Sequence, residues 1–362
     1  MKLTPQKFQK IKNEWNSKQF AHSSENVLSA TDLQSVYKEK YDNEYFRFVP
    51  CPVCHSNNFF IFHKKTKPLK YAKKKYQNFL ITILVHVFGK HISSCILTLI
   101  FRRPINISGY TVVKCTNCNL LFRNPIYRQK KLQNVYNQGY LKFLSGEYSQ
   151  KRIGVYKNIL NVLDLKKRTL NFNRRRVLDI GCGFGLFLDL MRSDDWEPYG
   201  LDFAEDCIEY AQNVLGLENT QKGDVDETLF EDDFFDLVTL LSVVAHLKNP
   251  IKMFKIIHKI LRPGGFLIIY TVNANSLMHQ YHKEKWTGFS KNHIIFFDST
   301  TICAALKIAG FVKTETISDN RVIDLFSKIG VIPKKHIKYF SNTNQKEILG
   351  DMLIVIATNG EH

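Results

Sequence analysis

The sequence predicts an α/β fold in its C-terminal half, a mostly parallel sheet flanked by helices, preceded by a small cysteine-pinned domain. Three observations predict it. Residues 177–185 read VLDIGCGFG, an apolar strand that ends in glycines at 181, 183 and 185. Such a turn bends sharply and lets a ligand lie against main-chain N–H groups at the start of the next helix. Further apolar runs at 196–202, 234–241 and 261–270 follow in strand-and-helix rhythm. Ahead of them stand two Cys-x-x-Cys pairs, each in a turn beside strand-like runs at 58–62, 110–114 and 120–122.

Composition sets the frame for these elements. A chain of 362 residues, 44% of them hydrophobic, suits about two globular domains. Its charge of +18 is uneven: residues 1–176 carry 33 basic and 8 acidic side chains, net +25, and residues 177–362 carry 18 and 25, net −7. The split falls at the glycine turn, which places a domain boundary in the basic linker 166–176. The expected organisation is a helical segment 1–45 without motifs, a basic zinc-binding domain 46–145, a helical linker 146–176 and a ligand-binding domain 177–362. No acid occurs between Glu44 and Glu147. A surface of that kind favours an anionic partner: lipid headgroups, a phosphorylated or nucleotide-linked substrate, or nucleic acid. General solubility or a lysine-rich genome is the plainer alternative.

The cysteines lie at 51, 54, 95, 115, 118, 182, 207 and 303. Cys51, Cys54, Cys115 and Cys118 supply the four thiolates of a tetrahedral zinc site, closed and therefore structural. Two disulfides or a redox pair are the rivals. The first fifteen residues show no apolar stretch of a secretory leader, so a reducing cytoplasm is expected and zinc is favoured. The metal then replaces the large core that this segment lacks.

The spacing of the glycines identifies the ligand class. A dinucleotide fingerprint would need glycine at 186, which is Leu186; the pattern here is G-x-G-x-G. With Asp179 ahead of it, the stretch resembles motif I of the class I S-adenosylmethionine (SAM) methyltransferases, and four later elements are similar to that family. Asp202, 21 residues beyond Gly181, ends the second strand; the resemblance implies that it holds the ribose hydroxyls, the alternative being the cap of a helix beginning near Ala204. The acid at 224 is implied to reach the adenine amine, against the alternative that Asp224 is one more solvated acid of the stretch 218–236. Residues 242–250, SVVAHLKNP, resemble the family's segment after the fourth strand, with Ala245 where Glu is usual. Residues 261–265, LRPGG, are among its most recognisable pieces. The implied cofactor site is Asp179, Gly181, Cys182, Gly183, Gly185, Asp202, Phe203, Asp224 and Ser242. The implied fold is a Rossmann-like sheet of seven strands, the sixth and seventh at 311–318 and 351–358, with a helix at 300–309.

The N-terminal order of Cys-x-x-Cys, strand, Cys-x-x-Cys, 120–122, Asn124-Pro125 and the tyrosines at 136–140 resembles bacterial methyltransferases of saccharide and natural-product pathways, so that the likeness covers about 48–358. Methyl transfer needs an acceptor held in line and its proton managed. His246 and His293, the latter in a Trp286-to-Phe297 stretch similar to the family's, stand on the implied acceptor side as candidate bases; both could instead be structural. His279 and His282 are weaker candidates, and Tyr281 is a possible pocket residue.

The sequence departs from that pattern between the knuckles. A basic run at 64–75 leads into the apolar segment 79–101, closed by Arg102 and Arg103. A single membrane span would place the two cysteine pairs on opposite sides. A helical hairpin within a core or a homodimer, or a monotopic contact of 64–103 with an anionic membrane surface, remains open. The function expected is SAM-dependent methylation of a small or lipid-linked anionic acceptor, a sugar or saccharide intermediate on the family likeness, in the cytoplasm or peripherally at the inner face of the membrane. RNA methylation by the basic half, or a non-catalytic membrane-associated scaffold with a relic SAM pocket, are the alternatives; no Asn-Pro-Pro-Tyr motif supports the first, and Ala245 motivates the second.

Overall fold

The computed structural model describes residues 28–29, 46–65, 110–127, 152–157, 159–161, 163, 175–225, 229–283, 286–290, 292–319 and 350–360. The expectations for most of 1–45, for the basic run past 65, for the 79–101 segment, for the tyrosines at 136–140 and for most of the linker lie outside the described residues.

The strands in chain order are β1 (Leu28–Ser29), β2 (Phe46–Arg47), β3 (Asn58–Lys65), β4 (Tyr110–Cys115), β5 (Leu121–Arg123), β6 (Ile126–Tyr127), β7 (Arg176–Ile180), β8 (Glu197–Asp202), β9 (Thr220–Lys222), β10 (Phe235–Leu241), β11 (Leu261–Val272), β12 (Ile295–Phe296), β13 (Lys313–Asp319) and β14 (Met352–Thr358). The helices are α1 (Leu186–Arg192), α2 (Glu205–Asn213), α3 (Pro250–Ile260), α4 (Leu277–His282) and α5 (Ser299–Ile308), with a 3-10 turn at Val244–His246.

Seven strands form the expected sheet in the order β13-β14-β11-β10-β7-β8-β9. The five strands from β11 to β9 run parallel, and β14 lies antiparallel between β11 and β13. All seven residues of β10 are buried, as a central strand covered by helices on both faces requires. In α3, Ile251, Phe254, Ile257 and Ile260 among others turn inward at three- and four-residue spacing, and Asn249 caps its first turn by accepting from the Lys252 N–H. In α5, Asp298 and Thr301 form a reciprocal capping box.

The LRPGG stretch reads differently from the expected turn before a strand. Leu261 already pairs with Phe235, the register then shifts, and Phe266 pairs with Leu237, so the Pro-Gly-Gly is a bulge inside β11. Arg262 donates to the buried carboxylate of Asp236, which also accepts the Arg176 N–H at 3.1 Å. The motif's arginine thus helps tie together the amino ends of the central strands β7, β10 and β11.

The cysteine-bearing segment forms a second sheet, β1-β3-β4-β5-β12. Its last strand comes from the C-terminal half: Ile295 and Phe296 pair antiparallel with Phe122 and Leu121. One apolar cluster runs from Cys51, Phe59, Val113 and Phe122 into Ile294, Ile295 and Phe297 and on to the β10–β11 core. Ribbon and sheet are therefore packed as one body at this edge.

Candidate functional site

In the order β10-β7-β8 the chain runs outward both ways from β7, so the carboxyl ends of β7 and β10 form the topological switch point where open α/β sheets bind ligands. The glycine turn leaves β7 at this place. Gly181, Gly183 and Gly185 all have positive φ, at 79°, 54° and 74°. A Cβ on Gly181 would stand 2.4 Å from Val243 Cγ2, and one on Gly185 2.6 Å from Leu217 Cδ1. Both positions need glycine for conformation and for room.

Asp202 does not cap α2; that place belongs to Ala204, which has no side-chain cap bond. Its two oxygens instead accept the Gly183 N–H at 2.8 Å and the Ala204 N–H at 2.9 Å. The carboxylate thus ties the glycine turn to the end of β8, and Phe203 beside it is 55% exposed, an uncovered aromatic face next to a charged acceptor. Asp224 is exposed, and its Oδ1 accepts the Val225 N–H at 2.9 Å. Ser242 closes β10 at φ 67°, its N–H donating to Tyr270 O at 2.8 Å. Cys182 is buried, and burial pushes its thiol well above the ordinary range, so it stays protonated.

Asp179 lies wholly inside, accepting from Thr239 Oγ1 at 2.7 Å. Burial pushes its carboxyl up to about 7, against the opposing pull of the Thr239 hydrogen bond and the Arg152 charge. Arg152, on the helical residues 152–157, was not singled out by the sequence. Its Nη1 would be 3.9 Å from a Cβ on Gly183, and its charge acts on Asp179 and Cys207. The turn therefore brings together the Asp202 carboxylate, the Arg152 guanidinium and the exposed Phe203 ring, over a buried Asp179. That set fits SAM, whose carboxylate favours a guanidinium, whose ribose hydroxyls favour a carboxylate such as Asp202, and whose adenine favours an exposed ring.

The second half of the site begins four residues past Ser242. His246, at the end of the 3-10 turn, and His293 are brought edge to face with ring centroids 4.9 Å apart. His246 Nδ1 donates to Asn292 O at 3.0 Å and His293 Nδ1 to Gly288 O at 2.8 Å. A carbonyl can only accept, so each neutral ring carries its proton on Nδ1 and its lone pair on Nε2. Burial, then the neighbouring His246, push His293 down to about 4, and burial lowers His246 as well. Both rings are neutral bases at neutral pH. The Ile294 N–H donates to Ala245 O at 2.8 Å, tying the two segments together. His279 is a core residue: it is buried, donates from Nδ1 to Ala274 O at 2.5 Å and stacks on Trp286 at 4.6 Å. His282 is exposed, and the Tyr281 side chain lies outside the described residues.

The four predicted metal ligands converge. The Sγ atoms of Cys51, Cys54, Cys115 and Cys118 lie within 4.8 Å of one another, with Cys51 to Cys118 at 3.4 Å and Cys54 to Cys115 at 3.5 Å. A disulfide would need about 2 Å, whereas a zinc tetrahedron with bonds of about 2.3 Å has edges of about 3.8 Å. The knuckles are built alike. Cys51 N–H donates to Ser56 O and Cys115 N–H to Leu120 O, the His55 and Asn119 N–H groups return to the first cysteine's carbonyl, and both His55 and Asn119 have positive φ. The set is compatible with a closed structural zinc site. No helix among the described residues is long and apolar enough to cross a membrane.

Residues 150–316 match the family model described as a methyltransferase domain. A ubiquinone biosynthesis O-methyltransferase of Coxiella burnetii is 27% identical over 130 residues, covering 34% of this chain and 56% of that protein. One of Ruegeria pomeroyi is 36% identical over 104 residues, covering 28% of this chain and 42% of that one. The chain spans about half the length of these curated relatives. A SAM-dependent methyltransferase structure from Archaeoglobus fulgidus aligns at 20% identity and a TM-score of 0.41, over 60% of this chain and 96% of that one. Neither curated relative is named for a saccharide, so the sugar acceptor expected from the N-terminal pattern finds no support in them.

Proposed function

We propose, from the premise that residues 150–316 are a class I methyltransferase domain, that this chain transfers the methyl group of SAM to a hydroxyl of a small acceptor. When bound, SAM supplies the electrophilic methyl. Asp202 and the glycine turn would hold the nucleoside, Phe203 would cover the adenine, and Arg152 would meet the amino-acid carboxylate. One Nε2 of the His246/His293 pair would take the acceptor's proton as the oxygen–methyl bond forms and the sulfur–methyl bond breaks, with S-adenosylhomocysteine as the leaving group. The single observation that carries the reading is this pair of half-buried, neutral imidazoles, His246 lying three residues past Val243, the residue that packs on Gly181. Transfer to oxygen is favoured because a hydroxyl needs a base near neutral pH and because the curated relatives are named O-methyltransferases.

The test uses the full chain with methyl-labelled SAM and two acceptor panels, phenols and saccharides, followed by mass detection of one added methylene. Label on an oxygen of either panel supports the reading and names the class. No calorimetric SAM binding overturns it and leaves the relic-pocket scaffold.

A further inference from the structure

The segment that orients both histidines is pinned at alternate residues. Gly288 O receives His293, Asn292 O receives His246, and between and beyond them Ser290 O and Ile294 O both accept from Arg123, Ser290 O also taking the His293 N–H at 3.2 Å. Its Nη2 donates to Ser290 O at 2.9 Å and its main-chain N–H to Ile294 O at 2.8 Å. Arg123 is the last residue of β5, five positions after the metal-ligand candidate Cys118, and is 3% exposed. A buried guanidinium is an expensive choice for a strand that any apolar side chain could finish. The β5–β12 pairing carries it across from the ribbon to the loop.

We propose that Arg123 is a positioning residue, through which the cysteine ribbon sets the geometry of the His246/His293 pair. By fixing the carbonyls of 290 and 294 it presents those of 288 and 292 to the two rings, so each imidazole keeps its proton on Nδ1 and its base on Nε2. This deepens the proposed function and rests on its reading of the pair. Among the described residues, the charges acting on His293 are those of His246 from the 3-10 turn and Arg123 from β5. Both disfavour the imidazolium. Removing Arg123 takes away one of them and loosens the loop towards water, and the two effects raise the His293 midpoint in the same direction.

The experiment is a pH titration of imidazole NMR signals in the full chain, with His293 assigned from H293Q. Wild type is compared with R123M and R123K, and SAM affinity is measured by calorimetry on the same samples. Expected is a His293 midpoint raised by about half a pH unit or more in R123M, a smaller rise in R123K, which keeps the cation without the planar fork, and SAM affinity within a few-fold of wild type in both. A variant that melts earlier yet leaves His293 and His246 unmoved assigns Arg123 a merely structural role and overturns the proposal. Should R123M not fold, R123K decides alone: unshifted ring signals overturn, shifted ones support. The readout needs no acceptor, so an inactive chain with a moved titration counts against the base reading and not against Arg123.

Discussion

Asp179 offers the most direct quantitative check on the site. Its carboxyl sits at about 7 in the folded chain against an ordinary 3.8, a displacement worth about 4 kcal/mol against the ionised form. Between those values the folded state binds the proton and the unfolded state does not, so stability falls as pH rises through the window and the deficit is complete above about 7. From pH 5 to 7 this one group should remove about 2 kcal/mol from the wild-type chain. Asp179→Asn keeps the shape and can still accept from Thr239 Oγ1, but cannot ionise. Chemical denaturation of both proteins at several pH values isolates the group, because every other titration is common to the two. The difference in unfolding free energy should grow in favour of the asparagine variant by about 2 kcal/mol across that range. Parallel curves would refute the claim that a desolvated carboxyl lies beneath the glycine turn.

Other consequences are open to equally simple measurements. Asp202→Ala removes the acceptor of two main-chain N–H groups and the implied ribose ligand, and should weaken SAM at least about tenfold by calorimetry; unchanged affinity would remove Asp202 from the site. His293→Gln and His246→Gln should each lower turnover by about a hundredfold or more with SAM affinity little changed, and because His293 is pushed down to about 4 the acid limb of the wild-type rate should lie below the ordinary imidazole range. Gly181→Ala places a methyl against Val243 and should abolish SAM binding before it abolishes folding. Cys54→Ser should release the metal, read as loss of one zinc per chain by elemental analysis, with a lowered melting temperature; full zinc content in that variant would point to other ligands.

Features fixed by short-range rules were the ones visible in the sequence. The glycines at 181, 183 and 185 announce positive φ, and Cys51, Cys54, Cys115 and Cys118 announce a cluster by spacing alone. The strands at 197–202 and 235–241 begin within one residue of the expected positions. What could not be seen depends on which side chains the fold brings into company. Arg152 precedes the turn by some thirty residues, in a stretch so rich in lysine and arginine that one guanidinium carries no mark. Arg123 meets Ser290 across 167 positions through a strand of only two residues, Ile295–Phe296, too short for a periodic pattern. The depth of Asp179 likewise follows from the all-buried β10 beside it, not from its neighbours in sequence. His279, a weaker candidate in the sequence, is packed on Trp286, and a histidine so packed has the same letter as one that takes a proton.

The β3–β4 hairpin has a bearing on how such a chain can diversify. Lys65 and Tyr110 are register partners, the last described pair of this hairpin. The 44 residues between them therefore leave and return through one doorway about as wide as a strand spacing. A version with 66–109 replaced by a two-residue turn should keep the knuckles, Arg123 and the histidine pair in register, and whatever property it loses is then assigned to 66–109.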